Sequence, residues 1–462
     1  MDNFSQKLLA GGWIFYALVT LFALNIPFFW DSILTSTVAQ WFYYHGIGNA
    51  IVPLQWDAGH PPFFQIYLML LWKIFGKNLL VSHLALLPFL GFMVYGFILL
   101  INQLTTSKSA RIFALIFYLL HPYLLTQSTL VSYDIVQIGF FQACLIGLIK
   151  NSKNWFLIGI WGLSLCSIRG QIMAITLIVV YLFFTSKSFK KNIGIYLLAI
   201  APLMIWNIYH WVETGWMLST PSSSWANQRT LSNTSQFVSH LIGIARCFTD
   251  YGVVSLSIVF TLSLKHLKYL ISIDYIRKLI LATGFPLLVL LLIMLVFSNP
   301  IGHRYFMFVH VSMILCLTAV WNQIRHQIMK IVFIVVTFTS GHFWLYPSHY
   351  SNGWDVTLRY ISYERNRASF FNFIQQKGIP EHDIASAFPL FCSQEQTNLI
   401  PGKRLLDVTE IPQAVAVPYI AQSAVCNDIK ELSFSHLPID TIFGTGLTRI
   451  ILYKNQIRSN ED

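Results

Sequence analysis

Several short stretches of the sequence set ionisable residues at the ends of long apolar runs. Asp31 follows one run directly, in Phe28-Phe29-Trp30-Asp31-Ser32, and Asp57 and His60 share Trp56-Asp57-Ala58-Gly59-His60-Pro61-Pro62. Asp134 opens a second run after Ser132-Tyr133, and Gly302-His303-Arg304-Tyr305 opens a third. Arg169 interrupts a fourth in Ser167-Ile168-Arg169-Gly170. A carboxylate beside an acceptor can take the proton of an attacking hydroxyl. An arginine can grip a phosphate with two parallel N–H bonds and stabilise the charge that grows as it leaves. Together these are the parts of a group transfer from a lipid phosphate. Each residue also has a plainer reading. Asp31 and Asp57 fit solvated ends or turns, and Asp134 fits a helix N-cap. His60 fits a turn before two prolines, Arg169 a partner of a backbone carbonyl, and Arg304 a surface-facing cation that snorkels to the interface. What lifts them together is the side of the membrane on which the surrounding elements place them.

Those elements are membrane spans. Of 462 residues, 55% are hydrophobic and only 11% charged, where soluble domains run near 25% charged. Apolar runs recur along the chain at close to the roughly 20 residues a helix needs to cross the hydrocarbon core. Spans are expected near 12–29, 79–101, 111–130, 134–149, 155–168, 171–185, 193–211, 251–264, 279–297, 304–321 and 330–346. The fold class is thus an all-α polytopic membrane protein with about eleven transmembrane helices. The stretch 155–185 reads as two short or broken helices with Arg169 at the outer turn, since an intramembrane charge usually faces a cavity. The run 62–76 is short for a span and is expected to lie along the outer interface as a juxtamembrane helix of the first outer loop. The N-terminal run reads as a retained span, because it is long and reaches 25–30 without a small-residue cleavage site.

The net charge of +11 is explained by where the basic residues fall. Lys108, then Lys150 and Lys153, then Lys187, Lys190 and Lys191, then Lys265, Lys268, Arg277 and Lys278, and finally Arg325 and Lys330 occupy every second loop. By the positive-inside rule those loops and the N-terminus with Lys7 are cytoplasmic. The charge is an orientation signal toward membrane lipids and implies no nucleic-acid partner. An odd number of spans then puts the tail outside. Asp31, Asp57, His60, Asp134, Arg169, His303, Arg304 and Tyr305 all fall on that same outer side.

The chain divides into a transmembrane domain, 1–349, and a small soluble extracytoplasmic α/β domain, 350–462. In the second, 364–377 reads as a helix burying Phe370, Phe371, Phe373 and Ile374, stopped by Gly378 and Pro380. Residues 384–388, 419–421 and 449–453 read as strands. Cys392 and Cys426 share this domain, where a disulfide and two separate thiols are both open readings. Cys144, Cys166, Cys247 and Cys316 lie in or near spans as small buried hydrophobes. There is no CxxC or HExxH motif, and Gly444-Thr445-Gly446 lacks the third glycine and following helix of a dinucleotide loop. No Walker lysine is present either, which argues against ATP bound to the protein itself.

Three places in the chain resemble the GT-C glycosyltransferases, in particular the dolichyl-phosphate-mannose protein mannosyltransferase type and its bacterial polyprenyl-phosphate-sugar-dependent relatives. They are the acidic Asp31 after the first span, His60-Pro61-Pro62-Phe63 leading an apolar helix that ends in Phe75-Gly76, and Arg304-Tyr305 opening a late span. The resemblance covers roughly the first 350 residues. It implies Asp31 as catalytic base, Asp134 as a second acidic position, and Arg304 as the contact to lipid phosphate. Asp57, His60, Arg169, His303 and Tyr305 are then candidate substrate-binding residues. It further implies a lipid-linked sugar donor, a hydroxyl acceptor and a bacterial inner (plasma) membrane location. Relatives often carry an acidic pair at the first loop, whereas Ser32 follows Asp31 here, so participation of a divalent cation stays open. Two other classes compete with the transferase: a transporter or flippase for a lipid-linked glycan, which needs ionisable groups near mid-membrane, and a non-catalytic envelope scaffold.

Overall fold

A computed structural model describes residues 1–48, 50–185, 189–217, 220–222, 226–343, 353–408, 417–426, 434 and 437–455. The expected basic residue Lys187 and the last three residues of the expected final span, 344–346, lie outside the described residues.

The apolar runs fold as helices. Six described helices are long and apolar enough to cross a membrane: Asn3–Ala23, Leu79–Leu104, Ile168–Thr185, Ile193–Thr214, Asp274–Val296 and His303–Gln323. Thr234–Gly252 and Val254–His266 form a further apolar pair bent by 105°. The other expected spans are helices of 13 to 17 residues, Lys108–Leu120, Tyr133–Ile149, Lys153–Cys166, Val254–Leu270 and Gln327–Gly341. Their ends are set by polar or imino breaks. His121-Pro122 stops the first of them, and Ser132 caps Tyr133–Ile149 by accepting the Asp134 N–H. At Ser167 the expected interruption appears, with Lys153–Cys166 ending and Ile168–Thr185 beginning on either side of it. The first helix differs from expectation. It runs Asn3–Ala23, capped by Asp2, whose carboxylate accepts the Ser5 N–H at 2.7 Å and pairs with Arg111 at 3.0 Å. Residues 24–30 are therefore a connector, and Asp31 starts a helix of its own.

That helix, Asp31–His45, packs against Phe63–Phe75 in the loop after the first span. Phe63–Phe75 buries Phe64, Leu68 and Trp72 on one face and exposes Leu70, Ile74 and Phe75 on the other. Both helices end at glycines with positive φ, Gly46 at 76° and Gly76 at 95°, conformations that cost a residue without Cβ little.

Among the described residues the C-terminal part forms a five-stranded sheet with one long helix. β1 (Ile384–Ser386), β2 (Leu406–Asp407), β3 (Tyr419–Ser423), β4 (Ile439–Phe443) and β5 (Ile450–Lys454) lie in the order β2-β1-β3-β5-β4. β1 is parallel to β2 and β3, while β5 is antiparallel to β3 and β4. The helix Tyr360–Lys377 buries Phe370, Phe371 and Ile374 and stops at Gly378, in the left-handed region. Cys392 and Cys426 are buried thiols and form no disulfide with each other. Burial pushes the Cys392 thiol up to about 12. The core of this sheet unit includes Ala23, Ile26, Phe29 and Leu130 from the helical part. One hydrophobic core thus ties the connector ahead of Asp31 to the sheet. Phe29 stacks on Tyr360 at 4.9 Å, Trp30 meets Phe388 at 5.3 Å, and the Phe28 N–H donates to the Thr397 carbonyl at 2.8 Å.

Candidate active site

Four helix starts converge at one place. Asp31 is the first residue of Asp31–His45, Asp134 the second of Tyr133–Ile149, and Arg169 the second of Ile168–Thr185. Arg304 lies in the 3-10 turn His303–Phe306, which leads directly into Met307–Val320. Each helix start carries the positive end of a macrodipole, so the convergence favours anions. The backbone before Asp31 is held in an uncommon state. Trp30 has φ 56° and ψ −134°, a conformation that costs a non-glycine residue about 1–3 kcal/mol and persists only where the surroundings enforce it. Ser32 helps to enforce it. Its hydroxyl accepts the Phe29 N–H at 2.8 Å and donates to the Phe29 carbonyl at 2.7 Å. Ser32 therefore closes the turn at the position where the family resemblance leads one to look for a second acid.

Arg304 is the hub. Its Nε reaches Asp134 Oδ2 at 3.3 Å, its Nη1 pairs with Asp355, and its Nη2 pairs with Asp31. Asp134 also pairs with Arg169 through Oδ1 at 3.0 Å. Both guanidinium groups lie over the Tyr305 ring, Arg169 at 3.8 Å and Arg304 at 5.1 Å from its centroid. Arg304 is only 5% exposed, so it is a buried cation amid carboxylates and not the surface-facing residue its position suggested. Burial is affordable because three carboxylates surround the charge; alone it would be prohibitive. The Asp31 side chain is 45% exposed, against 5% for Asp134 and 4% for Asp355. Among the carboxylates of the cluster, Asp31 is the one open to solvent.

Asp31 lines a narrow cleft of about 30 Å³ whose polar lining includes Thr35, Asp57, His60, Gln65, Tyr133 and His210. Asp57 accepts the Gly59 N–H at 2.8 Å and bonds His210 Nε2 at 3.0 Å. His60 Nδ1 accepts the Ile168 N–H at 3.2 Å, capping the helix that carries Arg169. The imidazole must therefore keep Nδ1 unprotonated and carry its proton on Nε2. Burial, with Arg169 and then Arg229 nearby, pushes His60 down to about 4. Gln65 Oε1 is buried and has no hydrogen-bond partner among the described residues.

The structure brings together Asp31, Asp134, Arg169, Arg304 and Tyr305, and places Asp57 and His60 along the adjoining cleft. His303 does not join them. Its Nε2 bonds Asp250 at 3.1 Å, and Asp250 also pairs with Arg246 at 2.9 Å. Adjacent residues of a 3-10 turn point about a third of a turn apart, so Arg304 and His303 face different partners. Asp355, His210 and Gln65 escaped the sequence reading. A signal for Asp355 was present. Trp30-Asp31, Trp56-Asp57 and Trp354-Asp355 are the three Trp-Asp pairs in the chain, and the first two were already candidates. The segment after the last span thus supplies a residue of the cluster.

Among the described residues no group of three or more His, Cys, Asp or Glu side chains is arranged to hold a metal ion. Asp31, Asp134 and Asp355 do converge, but the point of convergence is filled by the Arg304 guanidinium. In this arrangement the carboxylate oxygens serve the arginine.

The helical bundle, the two helices after the first span and the C-terminal sheet unit define a polytopic membrane protein of the GT-C type of fold. Its likeness to a solved structure is to ArnT from Cupriavidus metallidurans bound to undecaprenyl phosphate, with a TM-score of 0.51 at 11% identity, covering 95% of this chain and 96% of that one. Against ArnT of the same organism in the apo state the TM-score is 0.49, also at 11% identity, over 97% and 98% of the two chains. No family model matches the chain, and no curated protein matches it.

Proposed function

We propose that this protein is a membrane glycosyltransferase that moves a sugar from a polyprenyl-phosphate donor to a hydroxyl acceptor. The observation that carries the reading is the pairing of the accessible carboxylate of Asp31 with the buried guanidinium of Arg304 at the mouth of the cleft. The neighbour bound to undecaprenyl phosphate supports a lipid-phosphate donor by analogy of fold. In this reading Arg304 holds the donor phosphate, helped by the helix starts around it. The acceptor oxygen attacks the anomeric carbon, the bond from that carbon to the phosphate oxygen breaks, and polyprenyl phosphate departs with the electron pair. Asp31 takes the acceptor proton. Charge building on the leaving phosphate is met by Arg304, and Arg169 and Tyr305 keep Asp134 and Arg304 in place. Attack from the face opposite the phosphate gives inversion through an oxocarbenium-like state, as in glycoside chemistry. Asp57, His60 and Gln65 would meet sugar or acceptor hydroxyls. We place the reaction on the outer face, with a cytoplasmic N-terminus, because of the alternating basic loops. Kinship to the mannosyltransferase type rests on Asp31, His60-Pro61-Pro62-Phe63 and Arg304-Tyr305.

The test is single-turnover transfer of labelled sugar from polyprenyl phosphate by the full chain in nanodiscs, across a panel of hydroxyl acceptors. Asp31→Asn keeps the size and hydrogen bonding of the side chain but cannot take the proton, so transfer should fall about a hundredfold or more. Near wild-type transfer by a folded Asp31→Asn protein would refute the assignment. Movement of labelled lipid across the bilayer by a wild type that transfers no sugar would favour a flippase.

A further inference from the structure

Carboxylates crowd Arg304 on three sides. Its Nε, Nη1 and Nη2 are directed to Asp134, Asp355 and Asp31, with the Tyr305 hydroxyl also 3.5 Å from Nη2. A phosphate approaching this guanidinium meets all three carboxylates, and they are not equally able to leave. Asp134 is buried and shared with Arg169. Asp355 is buried, its carbonyl accepts from Gln127 at 2.8 Å, and the preceding Trp354 sits in the core of the sheet unit. Freeing Asp355 would strand a buried charge, and freeing Asp134 would leave it to Arg169 in a buried setting. Asp31 is half exposed, and among the described residues its side chain is hydrogen-bonded to Arg304 alone. It can turn into the cleft it already lines.

Formal charge points the same way. The cluster holds two arginines, Arg169 and Arg304, against three aspartates, Asp31, Asp134 and Asp355, for a net −1. Adding a phosphate anion beside all three carboxylates would pile like charges at hydrogen-bond distances. Replacing Asp31 by the phosphate avoids that and preserves the number of anions on Arg304.

We infer that the donor phosphate and Asp31 exchange on Arg304, so that donor binding itself releases the base into the cleft. Asp134 and Asp355 stay in place, and Asp355 is a positioning residue for Arg304 supplied by the segment that leads into the sheet unit. With no donor the base is tied down by the arginine. With donor bound it stands free beside the acceptor, which couples proton removal to the presence of the sugar lipid. The inference rests on the proposed lipid-phosphate donor.

The experiment measures equilibrium binding of undecaprenyl phosphate to the full chain in nanodiscs, with undecaprenol as uncharged control and no acceptor present. Asp31→Asn and Asp31→Ser remove the competing anion, so both should bind undecaprenyl phosphate about fivefold or more tightly than wild type, as expected of a coupling of this kind. Undecaprenol binding should not change. Asp355→Asn should weaken undecaprenyl phosphate binding roughly tenfold, and Asp355→Glu, which keeps the charge, should recover most of it. Equal or weaker phosphate binding by the two Asp31 variants, with thermal unfolding like wild type, would overturn the exchange. Loss of undecaprenol and undecaprenyl phosphate binding alike in Asp355→Asn would overturn its positioning role. Failure of the wild type to bind undecaprenyl phosphate saturably would remove the donor reading itself, a result distinct from the other two.

Discussion

The Arg169 guanidinium lies over the Tyr305 ring at 3.8 Å while its Nη2 bonds Asp134 at 3.0 Å. One arginine thus braces both the carboxylate and the aromatic residue that flank Arg304. The ring offers its negative face to two cations, an arrangement that stabilises each by about 0.5–2 kcal/mol according to exposure.

Tyr305→Phe keeps that face and should retain most transfer activity. Tyr305→Ala removes it and should lower transfer roughly tenfold, the equivalent of one partly buried cation–π contact. Equal rates for the Phe and Ala variants in the single-turnover assay would show that the stack positions nothing.

Arg304→Ala leaves Asp134 and Asp355 buried without their shared partner, so it should lower thermal stability as well as donor binding. Breaking a buried pair from one side typically costs about 3–5 kcal/mol. Arg304→Lys restores a charge but not the planar fork that serves three carboxylates, and should recover stability in part and donor binding less. Full donor binding by a folded Arg304→Ala protein, read by titration with undecaprenyl phosphate, would dismiss its role at the phosphate.

Much of this site is legible in the sequence because hydropathy marks the helix ends on which it is built. Asp134, Arg169 and Arg304 stand beside those ends, and Asp31 beside the apolar run that leads into its helix. What hydropathy does not encode is direction. His303 and Arg304 are neighbours in sequence, yet one turns to Asp250 and the other to Asp134. Nor does it mark Asp355, which follows a segment of mixed composition and reaches Arg304 only because Trp354 docks in the sheet unit. The boundaries of the first span were misplaced for a related reason. The run 24–30 is apolar because it packs against the sheet unit through Ile26 and Phe29, not because it crosses the membrane.

His60 gives the site a stability that depends on pH. Its imidazole is held down at about 4, below the roughly 6.5 of an unfolded chain. Between those values the unfolded chain binds the proton and the folded protein does not. The contribution is therefore complete above about pH 6.5 and is lost as pH falls toward 4. His60→Asn, whose side-chain oxygen can still accept the Ile168 N–H, should flatten that part of the Tm-against-pH curve. A wild-type curve that is level from pH 6.5 to 4.5, or one that His60→Asn leaves unchanged, would contradict the assignment.

Removal of divalent cations is expected to leave transfer intact. Asp31, Asp134 and Asp355 already direct an oxygen each to Arg304. A divalent ion brought to the same point would meet the guanidinium charge at close range and would have to displace it. Ser32, where a second first-loop acid would extend the donor set, is committed to the Phe29 turn through both its hydroxyl bonds. The guanidinium is itself a fixed cation with directed N–H donors, able to do for the departing phosphate what a Lewis acid does elsewhere. Single-turnover transfer by chelator-treated protein should match the untreated rate, and added magnesium or manganese should not raise it. A rate lost to chelator and restored by one particular divalent ion would show that the carboxylates rearrange around a metal when donor is bound, and that Arg304 does not carry the phosphate alone.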